Sequence, residues 1–237
     1  DTLPVARLLS NINFIHTFSY KKKHENRWKQ EKDIISSVFR KYNLSINLTA
    51  SDRSILYALF ASMNSISAIE RNNSKSWWKK LLLTHHYFFD ITKHIILNNL
   101  EPLNLLKIKH INSLDMPEVS EVTIARIKNK LDNKGIKDFI IFHPSAQYNY
   151  KIYPHHLRHE LLSKLCGLDI GVVITGSNNE IDTTIKNQLP TFSNGFDWIG
   201  ETTMEEYCAL SQLSLAYVGM DTLNMHIAAA QNKRIFA

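Results

Sequence analysis

Five short apolar runs organise the second half of this chain: residues 138–142, 171–175, 196–199, 215–218 and the closing 234–237. Each of them is too short for a helix, and their apolarity is nearly continuous, as in strands buried on both faces. Between them, helical spacing predicts helices over 155–166, 180–189, 203–213 and 221–231. Strands that alternate with helices cannot be joined by hairpins. They form a parallel sheet with helices packed on both faces. The sequence therefore predicts an α/β, doubly wound half-molecule.

The first half follows the same logic less cleanly. Residues 14–20 read as a short β-prone run after a helix over 3–10. Residues 28–42 carry Ile34, Ile35, Val38, Phe39 and Tyr42 at helical spacing, and 44–48 alternate as a strand does. Asp52 can cap a helix over 55–63, residues 65–70 read as a strand, and the Lys- and aromatic-rich segment 76–99 reads as helix. Pro102 and Pro117 mark a linker within 101–120. A helix over 121–131, capped by Ser120 and stopped at Asn133-Lys134-Gly135, follows it.

Glycine and charge divide the chain at the same place. All seven glycines lie at or after Gly135. Residues 1–134 hold 21 Lys and Arg against 12 Asp and Glu, a net +9, whereas 135–237 hold 7 against 10, a net −3. The expected domains are 1–115, a linker with a connecting helix over 116–134, and 135–237. The basic half should attract an anionic partner. Cys166 and Cys208 are too few for a disulfide framework and read as two buried thiols. No signal peptide and no run of 18 apolar residues occurs, so a soluble cytoplasmic protein is expected. The chain opens without Met and closes inside an apolar run, and the expectation is a chain incomplete at both ends.

In open α/β sheets, ligands bind beyond the carboxyl ends of the strands. Four such ends are legible: His143-Pro144-Ser145-Ala146 with Lys151; Thr175-Gly176-Ser177 with Glu180; Gly200-Glu201-Thr202-Thr203; and Gly219-Met220-Asp221-Thr222. Hydroxyls and a helix N-terminus suit phosphate, a carboxylate suits ribose, and a lysine supplies counter-charge. The string from Asp221 through Leu223, Asn224 and His226 to Ala230 concentrates these features. Asp221 reads equally as a helix cap, and His226 as a packing histidine.

That string resembles the signature of the family 9 glycosyltransferases, the ADP-heptose:lipopolysaccharide heptosyltransferases. Three further stretches agree in order: His143-Pro144-Ser145-Ala146 with Lys151-Ile152-Tyr153-Pro154, Thr175-Gly176 with Glu180, and Gly200-Glu201-Thr202-Thr203-Met204-Glu205-Glu206. Over 1–134 the likeness is weaker, carried by Asp1-Thr2-Leu3-Pro4 and the strand at 44–48, and closest to the type III enzymes. The resemblance implies two Rossmann-like domains of the GT-B architecture, with the nucleotide sugar on the C-terminal one and the acceptor on the N-terminal one. It implies that Ser145 and Ala146 lie near the diphosphate, and that Lys151 pairs with phosphate and stabilises the leaving nucleotide. Thr175, Gly176 and Glu180 would form the ribose loop, with Thr202 and Thr203 near the adenine. Asp221 would bind the sugar. Thr222, Leu223, Asn224 and His226 would surround the phosphates, with Leu223 and Asn224 departing from the small residues or proline usual there.

The implied reaction moves heptose from ADP-heptose to a phosphorylated lipopolysaccharide core, with inversion, at the cytoplasmic face of the inner membrane. No metal and no cofactor are implied, ADP-heptose being the donor substrate. The general base, an Asp after the first N-terminal strand, has no counterpart in these 237 residues. Another nucleotide sugar is the alternative donor. A basic module for nucleic acid is a further alternative, although no nucleic-acid motif is present. Three features have plainer readings. His155, His156 and His159 suit a solvated helix face better than a metal site. Lys21-Lys22-Lys23-His24 suits a solvated loop, or contact with acceptor phosphates or a membrane surface. Trp77-Trp78-Lys79-Lys80 suits a core edge or an interfacial helix.

Overall fold

The computed structural model describes residues 2–20, 23–71, 74–111 and 114–237. Lys21 and Lys22, and the side chains of Lys23 and His24, lie outside the described residues, as does Asp1, so the readings placed on them go no further. In chain order the elements are α1 (Leu3–Ala6), α2 (Lys23–Val38), β1 (Ser45–Asn47), α3 (Asp52–Ala61), β2 (Ser65–Ile69), α4 (Trp77–Leu82), β3 (His85–Phe88), α5 (Ile95–Leu105) and α6 (Glu121–Asp132). They continue as β4 (Phe139–His143), α7 (His155–Cys166), β5 (Gly171–Ile174), α8 (Glu180–Asn187), β6 (Gly195–Asp197), α9 (Met204–Leu213), β7 (Ala216–Gly219), α10 (Leu223–Ala230) and β8 (Arg234–Phe236). The chain divides into two compact units, Asp1–Ile15 with Leu114–Ala237, and His16–Ser113.

The larger unit is the doubly wound half expected. Its five parallel strands run in the order β6-β5-β4-β7-β8. Alternate residues of each strand face opposite layers. Phe139 and Ile141 of β4, with Tyr217 of β7, meet Ile127, Leu131 and Leu210 of α6 and α9. Ile140 and Phe142 face the other way, toward Leu162 of α7 and Ile185 of α8. Burying such a side chain is worth about 1.5–3 kcal/mol, so two-sided burial explains why these strands carry no polar alternation. Ser120 caps α6 through the Thr123 amide, as read, and Gly135 ends it at φ +68°.

The smaller unit holds the parallel sheet β1-β2-β3. Ile66 and Ala68 pack with Tyr87 on one face, and Ile69 packs with Ile55, Leu83 and Trp78 on the other. Here the structure corrects the sequence reading. The segment read as one helix over 76–99 is α4, then strand β3, then α5; His85, His86, Tyr87 and Phe88 pair in parallel with β2. Aromatic residues favour a pleated, half-buried surface, and the free edge of β2 supplied the partner. Residues 14–20 form no strand: Phe18 instead lies under the Arg53 guanidinium, 3.3 Å from the ring centroid, and the Ser19 amide bonds Gln30. Ser51, not Asp52, caps α3. Helix α5 carries Pro102 inside it, so the linker begins later than read.

Two domain boundaries also differ from the expectation. Residues 1–15 belong with the larger unit: Val5 and Leu8 pack against its core, and the Leu8 carbonyl accepts from the Glu118 amide at 2.7 Å. Helix α6 is no mere connector, since Ile127 and Leu131 are buried in that same core.

One polar group is buried deep in the smaller unit. The Lys79 side chain is 1% exposed, and its ammonium donates to Asp52 at 2.7 Å, to Glu70 at 2.9 Å and to the Ala50 carbonyl at 2.9 Å. Burial works to lower the lysine's pKa, but the bonds to Asp52 and Glu70 outweigh it and hold the group above its usual value. Lys79 therefore ties α4 to the start of α3 and the end of β2. Both carboxylates keep access to water, which moderates the cost of losing it. Lys79→Met should lower stability by about 2 kcal/mol in urea unfolding of the whole chain. An unchanged midpoint would reject this role.

Candidate active site

The β4 and β7 strands lie side by side at the sheet's topological switch point, where helices leave toward opposite faces. His143 ends β4 and pairs in register with Gly219, which ends β7. The approach is tight. A Cβ on Gly219 would stand 2.3 Å from the His143 carbonyl oxygen, so only glycine fits there. Gly200, at the next strand end, adopts φ +77°, and the Asn178 side chain occupies the space a Cβ would need.

His143 is the hub of this end of the sheet. Its Nδ1 lies 3.1 Å from the Thr175 hydroxyl and 3.0 Å from the Asn224 amide nitrogen, and its Nε2 lies 3.4 Å from the Ser145 hydroxyl. Three site residues read from separate motifs thus meet on one imidazole. Burial pushes the His143 pKa down to about 4, against the opposing pull of Asp182 and a hydrogen bond with Thr175. The ring is neutral at neutral pH and serves as a hydrogen-bonding brace. Sequence reading noted His143 only as part of a string. The available signal was a polar residue closing an otherwise apolar strand.

The loop after β5 is shaped by a second residue that sequence reading missed. Asp182 is buried, and its Oδ2 accepts from the Ser177 amide at 2.8 Å, the Ser177 hydroxyl at 2.7 Å and the Asn179 side chain at 2.7 Å. Asn179 in turn caps α8 through the Asp182 amide, so the Asn179-to-Asp182 spacing of a helix start was the legible signal. This fixes Gly176 and leaves Glu180 exposed in the first turn of α8.

At β7 the Tyr217 hydroxyl donates to the Met220 carbonyl at 2.8 Å and lies 3.5 Å from the Thr222 hydroxyl. Burial pushes the Tyr217 phenol up to about 12. Thr222 is the N-cap of α10, but its side chain caps nothing. Among the described residues the amides of Leu223 and Asn224 have no acceptor. That open helix end favours an anion. Leu223 packs its side chain against the core and so leaves the amides uncovered. Asp221 does not cap α10. It is exposed, and its carboxylate lies 3.6 Å from Nε2 of His226, also exposed. The packing reading of His226 therefore fails.

The remaining residues fall at the neighbouring strand ends. Ser145 and Ala146 are buried after β4. Lys151 is exposed on a short turn of 3-10 helix (Asn149–Lys151), and among the described residues its ammonium has no partner. Thr202 is half-buried, and Thr203 is spent as the α9 cap, in a reciprocal box with Glu206. Of the plainer readings, Cys208 is buried with its thiol pushed up to about 12, and Cys166 is half-buried. The His155 and His159 rings lie 3.9 Å apart with no third ligand grouped beside them among the described residues. In α4, Trp78 packs on the core, whereas Trp77 and Leu81 are exposed. No helix among the described residues is long and apolar enough to cross a membrane.

A family model, Glycosyltransferase family 9 (heptosyltransferase), matches residues 35–237. The chain belongs to this family. It is a glycosyltransferase of α/β fold. No curated protein matches it at a significant level. Among solved structures, it resembles the family 9 glycosyltransferase of Veillonella parvula DSM 2008 at a TM-score of 0.75 and 14% identity, over 98% of this chain and 68% of that one. It resembles E. coli heptosyltransferase WaaC, solved with ADP, at 0.72 and 11%, over 98% and 72%. E. coli ADP-heptose lps heptosyltransferase II follows at 0.56 and 21%, over 90% and 66%. At such identities the likeness is one of fold.

Proposed function

We propose that this glycosyltransferase moves heptose from ADP-heptose to a phosphorylated sugar of the lipopolysaccharide inner core, with inversion and without a metal. The observation that carries the reading is the open N-terminus of α10 beside β4, with Lys151 and Glu180 exposed at the neighbouring strand ends and without a charge partner among the described residues. A diphosphate suits the free amides and the Thr222 hydroxyl, and ribose hydroxyls suit the Glu180 carboxylate. Asp221, held near His226, would orient the sugar.

The acceptor oxygen attacks the anomeric carbon from the face opposite the nucleotide. The bond to the phosphate oxygen breaks, and ADP leaves with the electron pair. Lys151 meets the charge that grows on that oxygen, which is the role a divalent cation has elsewhere. The acceptor proton passes to a carboxylate base, a role assigned to no residue of these 237. His143 is not that base, since it is buried, engaged on both ring nitrogens, and made a weak proton acceptor by its lowered pKa. The basic balance of residues 1–134 suits a phosphorylated acceptor, and exposed Trp77 and Leu81 suit work at the cytoplasmic surface of the inner membrane.

Thermal shifts with ADP, UDP and GDP test the donor. ADP should raise the melting temperature, with the other two weaker. A response confined to UDP or GDP would overturn the adenine-linked donor.

A further inference from the structure

A cavity of about 560 Å³ lies between α7 and α8, lined by Asn149, Pro154, Arg158, Glu180, Thr184 and Gln188 among others. Arg158 is the unusual member. It projects from α7, is 5% exposed, and makes a single side-chain hydrogen bond, from Nη2 to the Gln188 side-chain oxygen at 2.8 Å. Its Nε is buried with no acceptor, and among the described residues no carboxylate pairs with it. Burial alone pulls its pKa below the usual value, yet a guanidinium does not give up its proton in a protein. A buried cation lacking both counter-charge and a full set of acceptors is costly to retain.

The cavity's polarity says what would relieve that cost. Glu180 and Thr184 on α8, and Gln188 at its C-cap, recur every four residues, so the slot follows about 12 Å of chain. Glu180 marks one end of that row, and Gln188, which holds Arg158, marks the other. An anion beside Arg158 would sit at the far end of that row from Glu180, where two like charges separated by water repel only weakly.

We propose that this cavity is a binding site for a small oxyanion, a phosphate or carboxylate group, held by the unpaired guanidinium of Arg158. It borders the donor assignment at Glu180 and Asn149, but Lys151 and α10 do not line it. The ligand would accept from the part of the guanidinium that lines the cavity, and Gln188 and Thr184 border its place. The cavity is walled by α7, α8 and the loop before α7, and its Arg158 end uses no residue assigned to the donor.

Inorganic phosphate is the probe, followed by the line width of its phosphorus resonance with the whole chain at fixed ionic strength and with ADP in excess to fill the donor site. Saturable broadening is expected in the wild type and in Lys151→Ala. In Arg158→Met the apparent affinity should fall tenfold or more. Acetate should compete if the site takes any oxyanion, and its failure to do so would restrict the site to phosphate. Thr184→Trp, an exposed position that fills the slot while keeping Arg158, should abolish the broadening, and it decides the matter if Arg158→Met does not fold. Broadening that survives both Arg158→Met and Thr184→Trp, or that vanishes in Lys151→Ala, would overturn the proposal. Shifts with ADP in the same samples report on the donor site independently.

Discussion

Lys151→Ala should lower kcat for sugar transfer about 100-fold, equivalent to ~2.7 kcal/mol of transition-state stabilisation. Its ammonium stands exposed on a short turn after β4 and is not occupied by an internal carboxylate. A charge so placed gains most as the bond to the leaving nucleotide breaks, because the oxygen it faces then carries more charge than in the ground state. The effect should appear mainly in kcat, with a smaller rise in KM for the donor. Lys151→Arg should recover part of the rate, since it keeps the charge and changes the geometry. A variant with unchanged kcat and weakened ADP binding would reduce Lys151 to a ground-state contact. Unchanged values of both would remove it from the site.

The second large effect is on stability, and it has a sign. His143 titrates at about 4 in the folded chain because burial opposes its charged form, whereas in an unfolded chain it titrates near 6.5. Between those values the unfolded state binds the proton and the folded state does not, so acid favours unfolding. The stability at stake is fully present above pH ~6.5 and is lost as pH falls toward ~4, amounting to roughly 3 kcal/mol. His143→Gln keeps a neutral hydrogen-bonding side chain and removes the titration. It should be less stable than wild type at pH 7, where the brace to Thr175, Ser145 and Asn224 is imperfectly replaced. Its stability should then vary less with pH over that window, by about the same ~3 kcal/mol. Denaturant unfolding at pH 7 and pH 4.5 measures the difference. Equal pH slopes in the two proteins would show that His143 is not the buried neutral group described.

These effects show how unevenly the site was legible. The strand ends were readable because apolar runs stop abruptly at Gly, Ser, Thr and charged residues, as at Thr175-Gly176 and Gly219-Met220-Asp221. The motifs placed Ser145, Thr175 and Asn224 near one ligand but could not show that they meet on His143, because that contact joins residues 32 and 81 positions apart. Leu223 departs from the small residues usual at its place, and only the structure shows that its side chain packs on the core. His226 and Asp221 had two readings each, and exposure separated them. In the smaller unit, β3 was hidden because a four-residue strand of aromatic character has no period distinct from a short helix turn.

Local chemistry by itself determined the class of this protein: continuous apolar runs of strand length, helical spacing between them, a cap at Ser120, and a family signature along residues 143–230. Tertiary structure alone decided which polar side chains are spent on holding the molecule together and which are left for a ligand. Lys79 and Lys151 both stand among aromatic and aliphatic neighbours in the sequence, yet the first is buried against Asp52 and Glu70 and the second has no partner among the described residues. Arg158 sits in an ordinary amphipathic helix, and only the packing of α7 on α8 removes it from water without supplying a counter-charge. The reason is physical. Hydrophobic period is a property of neighbours in sequence, whereas desolvation and charge pairing are properties of neighbours in space.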